Sequence, residues 1–148
     1  MTYSTDALHD NTLDAIETVL VRSLDAKAGF EKMAEKAELE FKPVAAKFLA
    51  MHASHATGLS AIVSSAGRTP DTDGSFMSRI NEGVVALRAF FDEIDDDVMD
   101  NVRSGEEFVS TAFDDALSEV PNTSETHASL TRMKGELDAL LAETRHLD

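Results

Sequence analysis

Apolar residues recur at intervals of three and four along nearly all of this 148-residue chain. Nowhere do Val, Ile and Tyr alternate over the length of a strand. A period near 3.6 gathers side chains on one face of an α-helix, whereas a half-buried strand needs a period of two. The chain therefore reads as all-α, in five helical segments. Segment A, about Asn11–Ala37, is striped by Leu13, Ile16, Leu20, Leu24 and Met33, with Ala37 near its end. Asn11 or Thr12 can cap its start, and Asp14 and Glu17 lie in the first turns, where the helix dipole favours anions. Segment B opens at Pro43, a favoured first-turn residue, and stops at Gly67, a favoured C-terminal residue. Segment C, about Ser75–Ile94, carries Phe76, Ile80, Val84, Leu87, Phe91 and Ile94. Segment D, about Asp97–Val120, carries Val98, Val102, Val109, Phe113, Leu117 and Val120. Residues Pro121–Ser124 end D and offer caps for segment E, about Glu125–Leu147, striped by Leu130, Met133, Leu137, Leu140 and Leu147.

The short A–B and D–E connections predict antiparallel hairpins. The stretch from Gly67 to Gly74 is the clearest break in the chain. A helix the length of C spans roughly 30 Å, about one bundle length. Segment C is then a long crossover that returns the chain to the other end, makes B and D parallel, and leaves A, B, D and E as the main helices. The competing arrangement is a simple up-down bundle with C as an equal member. The length fits one domain, residues 11–148 behind a short N-terminal tail of residues 1–10.

Composition narrows the function. Twenty-eight acidic against thirteen basic residues give a net charge of −15, which repels phosphate backbones and anionic membranes and argues against a nucleic-acid partner. There is no Cys, so disulfides and thiolate metal sites are excluded. No apolar run is long enough to cross a membrane, and residues 1–10 lack the features of a signal peptide, so a cytoplasmic location is expected. The acidic run Asp92–Asp97 reads as a solvated turn at a helix junction, because its spacing matches no calcium loop. Phe90 and Phe91 put bulky groups on two sides of segment C, and one of them is a candidate contact for a homodimer through a helix face.

Segment B holds the chemistry. Phe48, His52, His55, Leu59, Ile62 and Ala66 step by four and three along one face, so two imidazoles stand where Leu or Ile is expected. Burying such a ring without a partner costs roughly 1–3 kcal/mol. Glu106 lies on the stripe of segment D between Val102 and Val109. Folding A on B brings Asp25 level with His55, and Lys27 or Ala28 level with His52. Folding D on E brings Glu106 level with Glu136. His52, His55, Glu106 and Glu136 are thus candidate ligands for one transition metal, with Fe, Zn or Mn suiting two imidazoles and one or two carboxylates. The same residues also suit a metal-free His–Glu hydrogen-bond network. His9 and His146 lie near the termini, and His127 opens segment E as a helix-end residue. Five helix-interior glycines, Gly29, Gly58, Gly83, Gly105 and Gly135, suit close helix packing or room for a ligand beside the polar positions.

Residues 30–37 (FEKMAEKA) and 48–55 (FLAMHASH) resemble the rubrerythrin branch of the ferritin-like superfamily. The whole stretch 11–147, with Gly29-Phe30 and Gly105-Glu106-Glu107 at recurrent positions, is most similar to the small bacterial ferritin-like families of unknown function. That resemblance implies a left-handed four-helix bundle with a long crossover holding an extra helix between main helices two and three. It also implies a di-iron pattern of one Glu from each of two helices and Glu-x-x-His from each of the other two. Here position 52 carries His in place of the first motif's Glu, while His55 matches. Ser23 stands near the first-helix Glu, and Ala139 replaces the last His. Glu106 or Glu107 and Glu136 match the remaining positions. A set this depleted argues against ferroxidase or peroxidase chemistry. It leaves a non-catalytic binding or stress-associated bundle with a degenerate site, or a residual metal-binding protein. A third class, a histidine phosphotransfer bundle, is suggested by His55-Ala-Thr-Gly58, which is similar to a His-x-x-Lys-Gly stretch but lacks the Lys and is one residue short.

Overall fold

A computed structural model describes residues 10–36, 41–70 and 98–144. They form four helices: α1 (Asp10–Lys36), α2 (Lys42–Ser65), α3 (Val98–Ser118) and α4 (Glu125–Glu143). These match segments A, B, D and E, and no strand occurs among the described residues. Segment C, its crossover role, Phe90 and Phe91, the acidic run 92–97, Gly83, His9 and His146 all lie outside the described residues.

Side-chain contacts fix the helix directions. Phe30 and Phe48 stack at 4.9 Å, while Arg68, just past α2, reaches Asp10, Asp14 and Glu17 at the start of α1. Helices α1 and α2 are therefore antiparallel. Thr12 Oγ1 donates to the Glu119 carbonyl at 3.2 Å, and Arg22 Nη1 donates to the Phe108 carbonyl at 2.9 Å, so α3 also runs against α1. It follows that α2 and α3 are parallel, an arrangement that both the crossover topology and an up-down bundle with C as an equal member require. Arg103 reaches the Thr144 carbonyl and Lys134 reaches Asp114, so α4 runs back along α3. The result is an all-α four-helix bundle.

Local chemistry sets the helix ends. Pro43 sits in the first turn of α2. At its other end Gly67 adopts a φ of 90°, the left-handed region that glycine enters without a Cβ penalty. The Arg68 N–H then donates to the Val63 carbonyl and the Gly67 N–H to the Ser64 carbonyl, a Schellman closure that turns Arg68 back over α1. The Ser124 hydroxyl accepts from the His127 N–H at 3.0 Å and caps α4, an interaction worth about 1 kcal/mol. The start of α1 departs from expectation. Asn11 and Thr12 lie inside the helix, which begins at Asp10, and the Thr12 hydroxyl is spent on α3 instead.

The core gathers Phe30, Phe48, Phe113, Ile16, Leu20, Met33, Leu59, Leu130 and Leu137. Helix α1 is buried on more than one face, because Val19, Val21, Ala26 and Phe30 are enclosed along with the predicted stripe, whereas Leu24 is only partly covered. Helix α4 lies at the other extreme, with Leu130, Met133 and Leu137 as its buried apolar residues. No helix among the described residues is long and apolar enough to cross a membrane.

Candidate functional site: two histidine–carboxylate pairs

Helix α2 carries both imidazoles inward, His52 wholly enclosed and His55 with 1% of its surface exposed. Three residues apart on a helix, they face different neighbours. His52 Nε2 lies 2.6 Å from Glu106 Oε1 on α3, and both side chains are fully buried. His55 Nε2 lies 2.8 Å from Glu136 Oε1 on α4, and Glu136 is 47% exposed. The rings stand perpendicular with centroids 6.4 Å apart. The two contacts are hydrogen bonds of charge-assisted length, and in the second the imidazole N–H donates to the Glu136 carboxylate. The His52 ring also stacks on Phe30 at 5.7 Å, extending the Phe30–Phe48 stack, and His55 meets Phe113 edge-on at 5.8 Å.

His52, His55 and Glu106 are thus drawn inward, Glu136 stays at the surface, and the four are paired without converging on one point. Arg103–Thr144 and Asp114–Lys134 set the register of α3 on α4, which places Glu136 level with residues 111–112. Glu106 lies five or six residues lower, about 8 Å along the axis. The expected alignment of Glu106 with Glu136 is therefore off by more than a turn, because α3 and α4 fold about residues 123–124 and not about Pro121. On α1, Phe30 stacks on both Phe48 and His52 and so lies level with about residue 50, which keeps Ala28 near the height of His52 as expected. Asp25 and Ser23 are buried on the same helix.

Electrostatics separate the pairs. Burial holds the His55 imidazole below the ordinary histidine range, against the raising effect of its hydrogen bond to Glu136. The Glu136 carboxyl is held below the ordinary glutamate range, first by His55 and then by Arg132, whose Nη1 lies 3.2 Å from Glu136 Oε2. At neutral pH this pair is a neutral imidazole donating to an ionised carboxylate. Four buried polar atoms at the centre have no hydrogen-bond partner: His52 Nδ1, His55 Nδ1, Glu106 Oε2 and Ser23 Oγ.

A di-iron centre does not fit this arrangement. Ser23 and Ala139 supply no ligand where the resemblance implies Glu and His, and among the described residues no three His, Asp or Glu are grouped to hold a metal ion. Nor does Gly58 or Gly135 open a ligand cavity here. The Met133 methyl lies 2.7 Å from where a Cβ on Gly58 would stand, so Gly58 serves close contact between α2 and α4. Gly135 faces open space. A phosphodonor has no access to His55, whose ring is enclosed. His127 is a helix-end residue, with its N–H held by the Ser124 cap.

Two features escape the pattern of apolar spacing. Arg68 ties the end of α2 to three carboxylates of α1, including the almost fully buried Glu17 at 2.9 Å. The Arg22 guanidinium lies 3.7 Å over the Phe108 ring, half-sunk between α1 and α3, and desolvation lowers its pKa. The arginines alone gave a cue, as rare cations in an acidic chain.

No curated protein and no solved structure matches the chain. One family model does, over residues 11–119, which take in α1, α2, α3 and the segment between them. The chain therefore belongs to the family described as Domain of unknown function (DUF2383).

Proposed function

We propose that this chain is a non-catalytic bundle of ferritin-like, rubrerythrin-type descent, serving in the cytoplasm as a binding or stress-associated protein. In it, paired side chains occupy the place of a lost metal centre. The observation that carries this reading is the closure of each imidazole onto its own carboxylate, at 2.6 and 2.8 Å, with the two pairs offset along the bundle. Each imidazole has a carboxyl partner within the chain, so the two rings can be enclosed without an added cation. The test is elemental analysis of untagged protein, with thermal melts in the presence and absence of a chelator. Below about a tenth of an equivalent of transition metal and an unchanged melting temperature are expected, and close to one equivalent would overturn the reading.

A second reading has its own support. His52 Nδ1, His55 Nδ1 and Glu106 Oε2 are buried atoms of ligating type without hydrogen-bond partners. They are not grouped around one point as the helices stand, so both rings and the Glu106 carboxyl would have to turn for them to hold a single Fe, Zn or Mn ion, which would supply charge to the polar interior. The same elemental analysis decides between the two.

A further inference from the structure

The two pairs differ in what encloses them. His52–Glu106 joins α2 to α3 and is wholly sealed. His55–Glu136 joins α2 to α4, and its carboxylate reaches solvent. Helix α4 is thinly anchored: its buried apolar residues are Leu130, Met133 and Leu137, against Leu13, Ile16, Val19, Leu20, Val21, Ala26, Phe30 and Met33 on α1. Where α4 crosses α2, Gly58 presents bare backbone to the Met133 methyl. That contact has no side chain to interlock with. Two ion pairs that tie α4 to its neighbours lie at or near the surface, Lys134 to Asp114 and Lys47 to Glu143 at 3.4 Å, while Arg103 reaches the part-buried Thr144 carbonyl. Exposed ion pairs of this kind contribute roughly 0–1 kcal/mol each. Glu136 has an alternative partner on its own helix, Arg132, which travels with α4 if that helix lifts.

We propose that α4 is a hinged cover over the polar interior, latched to α2 by the His55–Glu136 hydrogen bond and swinging on residues 119–124. Its opening is the route by which water and small solutes reach the His52–Glu106 pair. The device goes beyond the proposed binding role and does not depend on a metal. Because α4 closes the interior on one side, lifting it bares His55 and the faces of Leu59 and Phe113 while the α1–α2–α3 core stays packed. Local opening of a weakly anchored element occurs at a free energy below that of global unfolding.

Hydrogen–deuterium exchange of the full chain tests this, with Glu136→Ala and Glu136→Gln beside the native protein. Glu136 is half-exposed, so neither change blocks folding. Amides of α4 are expected to exchange faster than those of α1 and α2 in the native protein. Glu136→Ala should speed α4 by roughly five- to tenfold, the loss of one partly screened hydrogen bond to a charged group, and leave α1 and α2 unchanged. Glu136→Gln keeps an oxygen that accepts from the imidazole N–H and should stay near native. Diethyl pyrocarbonate should modify His55 faster in the Ala variant, with His127 as the unchanged control. Exchange of α4 in step with the rest of the bundle, equal acceleration of every helix, or a Gln variant as loose as the Ala variant would each overturn the latch.

Discussion

Replacing His52 by Leu should cost far more than its loss of one hydrogen bond. Glu106 Oε1 has His52 Nε2 as its partner at 2.6 Å, Glu106 Oε2 has none, and the side chain is fully enclosed. Removing the imidazole strands a carboxyl group in the enclosed interior. Breaking a buried pair from one side costs about 3–5 kcal/mol. For a chain of this size each 1 kcal/mol lowers the melting temperature by about 2–4 °C, so a fall of roughly 6–20 °C is expected. Glu106→Leu leaves the enclosed His52 ring without its hydrogen-bond partner, and about 1–3 kcal/mol should be lost. The double change His52→Leu with Glu106→Leu leaves neither orphan, and its stability should return to within about 1 kcal/mol of native, since replacing both partners with apolar groups is often neutral. Urea unfolding followed by helical circular dichroism gives all three values. Losses that simply add in the double variant would refute the account, because they would mean the residues act as independent packing elements.

Acid should loosen the bundle in two stages. Burial lowers the folded pKa of His55 below the unfolded 6.5, so the unfolded chain binds the proton more readily and stability falls as pH drops below about 6.5. Glu136, lowered from 4.5 by His55, adds stability that is present above about pH 4.5 and lost as pH falls through its folded value. Melting temperature measured from pH 8 to about pH 3 should decline in that order, and His55→Leu should remove the upper stage; a flat profile would refute it. Arg68→Ala should cost about 1–3 kcal/mol, because it leaves Glu17 enclosed without its cation. Lys134→Ala should change stability by under about 1 kcal/mol in the same urea titration, since both of its carboxylate partners are exposed.

The main helices were legible because their apolar faces are long and their stops are chemically distinct. Pro43 and Gly67 bound α2 to within about two residues, and Ser124 caps α4 as its position suggested. The inward histidines were legible for the same reason, since a polar residue on an apolar stripe has nowhere else to point. What escaped was the height of α4 against α3. A slide of five or six residues between α3 and α4 keeps every stripe facing inward, so spacing along each helix cannot detect it. That slide is what separates one four-residue constellation from two pairs. The Arg68 clamp was likewise invisible, because it depends on a left-handed backbone at Gly67 that aims the next side chain across the bundle.

Parallel α2 and α3 divide the molecule into two hairpins, each built from contacts close in sequence, whose union requires contacts far apart in it. Thr12 with Glu119, Arg22 with Phe108 and His52 with Glu106 span 107, 86 and 54 residues. Closing such long loops is the slow part of assembling a helical domain. The kinetic bottleneck of this chain therefore falls on docking one half against the other, where an imidazole and a carboxyl group must shed water together as the last gap shuts.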